Sequence, residues 1–143
     1  MEGAAHHLNL SRHIELVDEY NALESGEDRL SWLMEREPQH ASVPAELITD
    51  DRRVPGCLSG LWLHGGVENN LCYFSAKSES PMVQGIVSFL CDLYSERSPA
   101  EVVDIGDSLA NVLGLERLLS ATRKRAVSST VSYILSVARS AKI

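Results

Sequence analysis

The first regular pattern along the chain is helical: Leu10, Ile14, Val17 and Tyr20 recur every three or four residues and share one face. Asn9 or Ser11 can cap its start, and Ser25-Gly26 is expected to end it. A second helix is predicted over 28–36 with Leu30, Leu33 and Met34 inward; Pro38 and Pro44 prevent it from running on. Residues 37–55 are polar and turn-rich, which predicts a connecting loop with a turn at 44–47. Residues 1–9 precede any pattern and are expected to be flexible.

The period changes after Gly56. Ser59-Gly60-Leu61-Trp62-Leu63-His64 and Leu71-Cys72-Tyr73-Phe74-Ser75-Ala76 are short apolar runs. They are separated by a turn region holding Gly65, Gly66, Asn69 and Asn70, the signature of a β-hairpin. Two strands alone are marginal, so helices or a third strand at 52–54 must cover them. The helical period then returns. Ser80-Pro81 opens a helix to Tyr94 with Val83, Ile86, Val87, Leu90 and Leu93 on one apolar face. Ser98-Pro99-Ala100-Glu101 is a capping box opening a short helix to Ile105. Asp107 can cap another that Gly114 ends, and Ser120 caps a last helix with the stripe Val127, Val131, Ile134, Leu135 and Ala138. The fold class is therefore α+β: a small antiparallel sheet of two to three strands, built on a central hairpin and packed with several α-helices.

Length and charge narrow the function classes. At 143 residues the chain is expected to form one domain, 1–143. Its 13 basic and 20 acidic residues give a formal charge of −7, which argues against a general phosphate-backbone binder, so no nucleic-acid partner is expected. No apolar run approaches the ~20 residues of a membrane span, and the start lacks the basic-then-apolar order of a secretory signal. The charge is uneven: after Leu119 come Arg123, Lys124, Arg125, Arg139 and Lys142 with no acidic residue. That basic end is either a docking face for an acidic partner or a solvated helix face complementing the acidic body.

Cys57 is the candidate for chemistry. It lies in Val54-Pro55-Gly56-Cys57, just before a predicted strand. Pro55 interrupts regular pairing and Gly56 opens backbone conformations closed to other residues, so the thiol sits on an irregular loop anchored by a strand. Arg52 and Arg53 are near enough in sequence to favour a thiolate. The competing reading is a small buried hydrophobe, the usual state of a free cysteine. Cys72 and Cys91 fall inside a predicted strand and helix and are assigned to the core, although Cys72 could approach Cys57 across the hairpin. Three cysteines without a Cys-x-x-Cys make neither a disulfide framework nor a zinc site, and indicate a reducing, cytoplasmic compartment. The histidines His6, His7, His13, His40 and His64 form no ligand array, so no metal is expected.

Four segments in register carry a resemblance. Val54-Pro55-Gly56-Cys57-x-Ser59-x-x-Trp62-Leu63 resembles the active-site signature of SufE-type sulfur acceptor proteins, including the CsdE branch. Phe74 to Ile86 through Ser80-Pro81, Tyr94 to Val103, and Leu118-Leu119-Ser120-Ala121-Thr122-Arg123 are similar to later segments of that family, and Glu27-Asp28-Arg29-Leu30 fits its early helix. The departures are Leu58 where glutamine is usual, Lys77 and Glu79 in place of two aspartates, and Lys124-Arg125-Ala126 where Asn-Gly follows the late arginine.

The resemblance implies an α+β fold like that of iron–sulfur scaffold proteins. It implies an accessory protein rather than an enzyme in its own right. Cys57 would take persulfide sulfur from a pyridoxal-phosphate cysteine desulfurase of the SufS or CsdA type, stimulate it, and pass the sulfur to an iron–sulfur assembly scaffold. The acceptor itself would need no cofactor and would be a monomer or weak homodimer. Arg123 and Glu79, which match family motif positions, would engage the desulfurase. Two other classes stay open on sequence: a cluster-building scaffold, and an interaction protein with an inert Cys57.

Overall fold

The computed structural model describes residues 13–36, 38, 42–57 and 59–141, without the side chains of Glu116 and Thr122. Leu10, the caps Asn9 and Ser11, the segment 1–9 with His6 and His7, His40, Leu58 and Lys142 lie outside the described residues. In chain order come α1 (13–22), α2 (Gly26–Glu35), two 3-10 turns (Ala45–Leu47, Asp50–Arg52), β1 (Leu61–Glu68) and β2 (Leu71–Ser78). Then follow α3 (Pro81–Tyr94), α4 (Pro99–Ile105), α5 (Ser108–Val112), a 3-10 turn (Leu115–Leu118) and α6 (Ala121–Ala141). The class is α+β.

The sheet is one antiparallel hairpin, pairing Leu61 with Ser78 at its open end and Glu68 with Leu71 at its turn. Asn69 and Asn70 make that turn, with φ of 53° and 64°, the left-handed pair that a two-residue I′ turn requires. Gly65 and Gly66, expected in the turn, instead lie inside β1. Gly65 is there because the Phe74 ring lies across it: a Cβ would sit 2.6 Å from Phe74 Cδ1. Moving the turn out to the asparagines lengthens both strands beyond the predicted runs.

No third strand forms at 52–54. Those residues leave a 3-10 turn, and their tie to β1 is the Val54 N–H donated to the Leu61 carbonyl at 2.8 Å. The outer edge of β2 is closed from within. The Cys72 N–H donates to the Arg97 carbonyl, the Cys72 carbonyl accepts from the Glu96 N–H, and the Phe74 N–H donates to Ser95 Oγ. Gln84 finishes the edge, accepting from the Ser78 N–H and donating to the Ala76 carbonyl. Edge groups left unpaired would template aggregation.

α3 is the central element, buried along nearly its whole length between β2, α2 and α6. Ser80 caps it by accepting from the Val83 N–H, with Pro81 at its first position. Ser98 and Glu101 form the reciprocal capping box that opens α4. The α6 stripe Val127, Val131, Ile134, Leu135 and Ala138 is buried.

The N-terminal helices differ from the expectation. Ile14 and Met34 are exposed, at 53% and 46%, while His13 and Leu16 take the inward positions. Spacing fixes the period of a stripe and not its rotation about the helix, and the Tyr20 ring sets that rotation by stacking on Phe89 at 5.4 Å and donating to the Leu113 carbonyl. Ser25-Gly26 does not end α1: Ser25 is the N-cap of α2, its Oγ accepting from the Asp28 N–H.

Candidate functional site

Cys57 directly follows a kink made by the sequence Val54-Pro55-Gly56. Gly56 has φ +82°, a conformation that side chains oppose, and the Arg125 guanidinium from α6 packs directly against it. A Cβ there would lie 2.7 Å from Arg125 Nη1, a side-chain end that can move aside, so it is the backbone angle that calls for glycine. The loop is pinned after the cysteine by Glu79. Its Oε1 accepts from the Gly60 N–H at 2.7 Å, and its own N–H donates to the Gly60 carbonyl at 3.0 Å. Arg53 Nη2 stands 3.7 Å from the same Oε1, with the Arg53 guanidinium over the Trp62 ring. Trp62 is held in turn by its Nε1–H donating to the Thr49 carbonyl.

The thiol borders a cavity of about 310 Å³ between this loop, the first turn of α3 and the first turns of α6. Ser59, Val83, Arg123 and Ala126 are among its walls. Arg123 Nη1 is 3.0 Å from Met82 Sδ, which places the guanidinium at the cavity rim. Cys57 and Arg123 therefore share one cavity, and Glu79 holds the strand-side end of the same loop.

Cys57 is partly buried and packs on the core edge. Burial pushes its thiol above the ordinary value, opposed by the Arg125 charge, a hydrogen bond with Ser129, and the Arg53 charge. Arg52, named from sequence with Arg53, is not among the groups acting on the thiol. The other two cysteines are sealed. Cys72 is 0% exposed with its thiol pushed up to about 11, and Cys91 is 2% exposed with its thiol pushed up further, each mainly by burial. The register also removes Cys72 as a partner for Cys57. It pairs with Val67 at the turn end of the hairpin, roughly 20 Å along the strand from Leu61 at about 3.3 Å per residue.

Sequence reasoning missed Arg125 and Ser129, which lie on α6 far from Cys57 in the chain. The cue was present as Lys124-Arg125-Ala126 departing from the family pattern, but its direction in space was not. Among the described residues no three His, Cys, Asp or Glu side chains converge as a metal site, and no helix is long and apolar enough to cross a membrane.

A single accessible thiol on a pinned loop, at the mouth of a cavity in an α+β fold, defines a class of small thiol-bearing proteins. Residues 14–138 match the SufE family model, the Fe-S metabolism associated domain, and the chain belongs to the SufE family. Over 129 residues it is 26% identical to an uncharacterized SufE-like protein of Rhizobium meliloti (strain 1021), covering 87% of this chain and 92% of that one. Over 126 residues it is 26% identical to the sulfur acceptor protein CsdE of Escherichia coli, covering 87% and 86%. A 31% match over 108 residues to the chloroplastic quinolinate synthase of Arabidopsis thaliana spans 71% of this chain and 15% of that enzyme. The solution structure of a hypothetical protein from Thermus thermophilus superposes with a TM-score of 0.72 at 19% identity, over 90% of this chain and 94% of that one, and shares the fold.

Proposed function

We propose that this protein is a sulfur acceptor: Cys57 takes the terminal sulfur of a persulfide from a cysteine desulfurase and passes it on to iron–sulfur assembly. The observation that carries the reading is the contrast among the three thiols. Cys57 borders a cavity flanked by cations, whereas Cys72 and Cys91 are sealed. The step is a thiol–disulfide-type exchange. The Cys57 thiolate attacks the outer sulfur of the donor persulfide, the new Sγ–S bond forms, the donor S–S bond breaks, and the donor leaves as a thiolate. No net oxidation occurs, and any proton on the outer sulfur travels with it.

A cluster scaffold needs several convergent ligands, and the separation of Cys72 from Cys57 gives that reading no support. The test is intact-protein mass spectrometry after incubation with a cysteine desulfurase and cysteine. One reducible sulfur per chain, mapped to the Cys57 peptide, is the expected result. Absence of added sulfur with an active desulfurase overturns the proposal.

The proposal extends to docking on the same surface. Arg123, at the cavity rim, and Glu79, at the loop end, are the residues proposed to meet the partner; their place beside the thiol supports that reading. Arg123→Ala is expected to weaken desulfurase binding severalfold at low salt, with the difference shrinking as salt rises. Equal affinity and equal stimulation at low salt would remove Arg123 from the interface.

A further inference from the structure

We infer that Arg125, supported by Ser129, is a positioning residue for the Cys57 sulfur: its guanidinium, seated against Gly56, holds the anionic thiolate and the anionic persulfide in place beside the cavity. The inference rests on the sulfur-acceptor reading and adds to it a residue outside the sequence motif that carries the resemblance.

The geometry supports it in three ways. First, the guanidinium lies against Gly56, the residue immediately before Cys57, which brings its positive charge close to the sulfur. Second, Ser129 lies one helical turn beyond Arg125 on the same face of α6, and like Arg125 it acts to favour the Cys57 thiolate. α6 is packed into the core there: Ala126 and Thr130 are buried, and the Thr130 hydroxyl donates to the Ala126 carbonyl. Third, the cations around the loop differ in what holds them. Arg53 is tied to Glu79 and Trp62, and Arg123 leans on Met82, but among the described residues no carboxylate pairs with Arg125.

Among the described residues, the charged groups around the loop come from three directions. Arg53 belongs to the segment before it, Glu79 to the segment after β2, and Arg123 and Arg125 to α6; α3 contributes the apolar Val83. Glu79 points its carboxylate at Gly60, on the strand side of Cys57. Burial of Cys57 opposes the anion that both attack and storage require. A guanidinium beside Gly56, with no carboxylate partner among the described residues, offsets that cost where the sulfur rests, and Ser129 acts in the same direction.

The experiment is the pH profile of Cys57 alkylation by iodoacetamide, located by peptide mass spectrometry on the full chain without any desulfurase. Wild type, Arg125→Gln, Arg125→Lys and Ser129→Ala are compared. Arg125→Gln is expected to lower the rate near neutral pH by about three- to tenfold, equivalent to an upward midpoint shift of roughly 0.5–1 pH unit. Arg125→Lys keeps most of the rate, and Ser129→Ala shifts the profile in the same direction by less. In wild type, ~1 M salt, where the Debye length is about 3 Å, lowers the rate toward that of Arg125→Gln. A superposable Arg125→Gln profile, or a salt-independent wild-type rate, overturns the inference. Because no sulfur donor is present, failure here is distinct from failure of sulfur uptake in the mass-spectrometric assay.

Discussion

Cys57→Ser is expected to take up no sulfur at all while keeping the wild-type fold. A serine hydroxyl is scarcely ionised near neutral pH and cannot hold a persulfide, so the loss is complete rather than graded. The change is nearly isosteric and lies where the side chain is partly open to solvent, so its cost in stability is small. The two sealed cysteines should behave in the opposite way. Cys72→Ser and Cys91→Ser each place a hydroxyl in an apolar setting, at a cost of about 1–3 kcal/mol, and leave sulfur uptake intact in the folded protein. Persulfide mass after incubation with desulfurase and cysteine, read beside urea unfolding for all three variants, checks this. A persulfide retained on folded Cys57→Ser, or lost only in Cys72→Ser, would end the assignment.

The parts of this fold legible in sequence are those set by local chemistry. The Ser80-Pro81 and Ser98–Glu101 caps, the α6 stripe and the existence of the hairpin all depend on residues within a turn or two of one another. What was misread depends on distant residues. Gly65 looks like a turn residue until the Phe74 ring is placed over it, and Ile14 looks inward until the stack of Tyr20 on Phe89 fixes the rotation of α1. The site divides along the same line. Cys57 stands out because Pro55 and Gly56 are its neighbours in the chain. Arg125 and Ser129 reach it only through the packing of α6, and no spacing rule encodes that approach.

Arg36→Met is expected to be the most destabilising polar substitution in the N-terminal half, costing about 3–5 kcal/mol. Arg36 is the residue that ends α2, and its guanidinium stands 5.8 Å from the Trp32 ring and 5.5 Å from the Phe89 ring. From there Nη2 donates to Asp92 Oδ2 at 2.5 Å, and the two side chains are only 8% and 2% exposed. Methionine keeps the aliphatic volume but takes the guanidinium away from the buried Asp92 carboxylate, and that lost compensation of a buried charge is the source of the destabilisation. Arg36→Lys should fall between, since an ammonium restores charge without the planar stack on the rings. Replacing both partners, Arg36→Met with Asp92→Leu, should recover much of the loss. The desolvation cost of the pair disappears with it, and among the described residues Arg36 Nη1 is already buried without a hydrogen-bond partner. Sulfur uptake should survive in the folded fraction. Asp92 sits near the end of α3, about 13 Å along the helix from Val83 at the cavity wall by the 1.5 Å rise per residue. Urea unfolding of the two single variants and the double variant measures the coupling, and an Arg36→Met chain within about 1 kcal/mol of wild type would show that the pair does not secure α2 to α3.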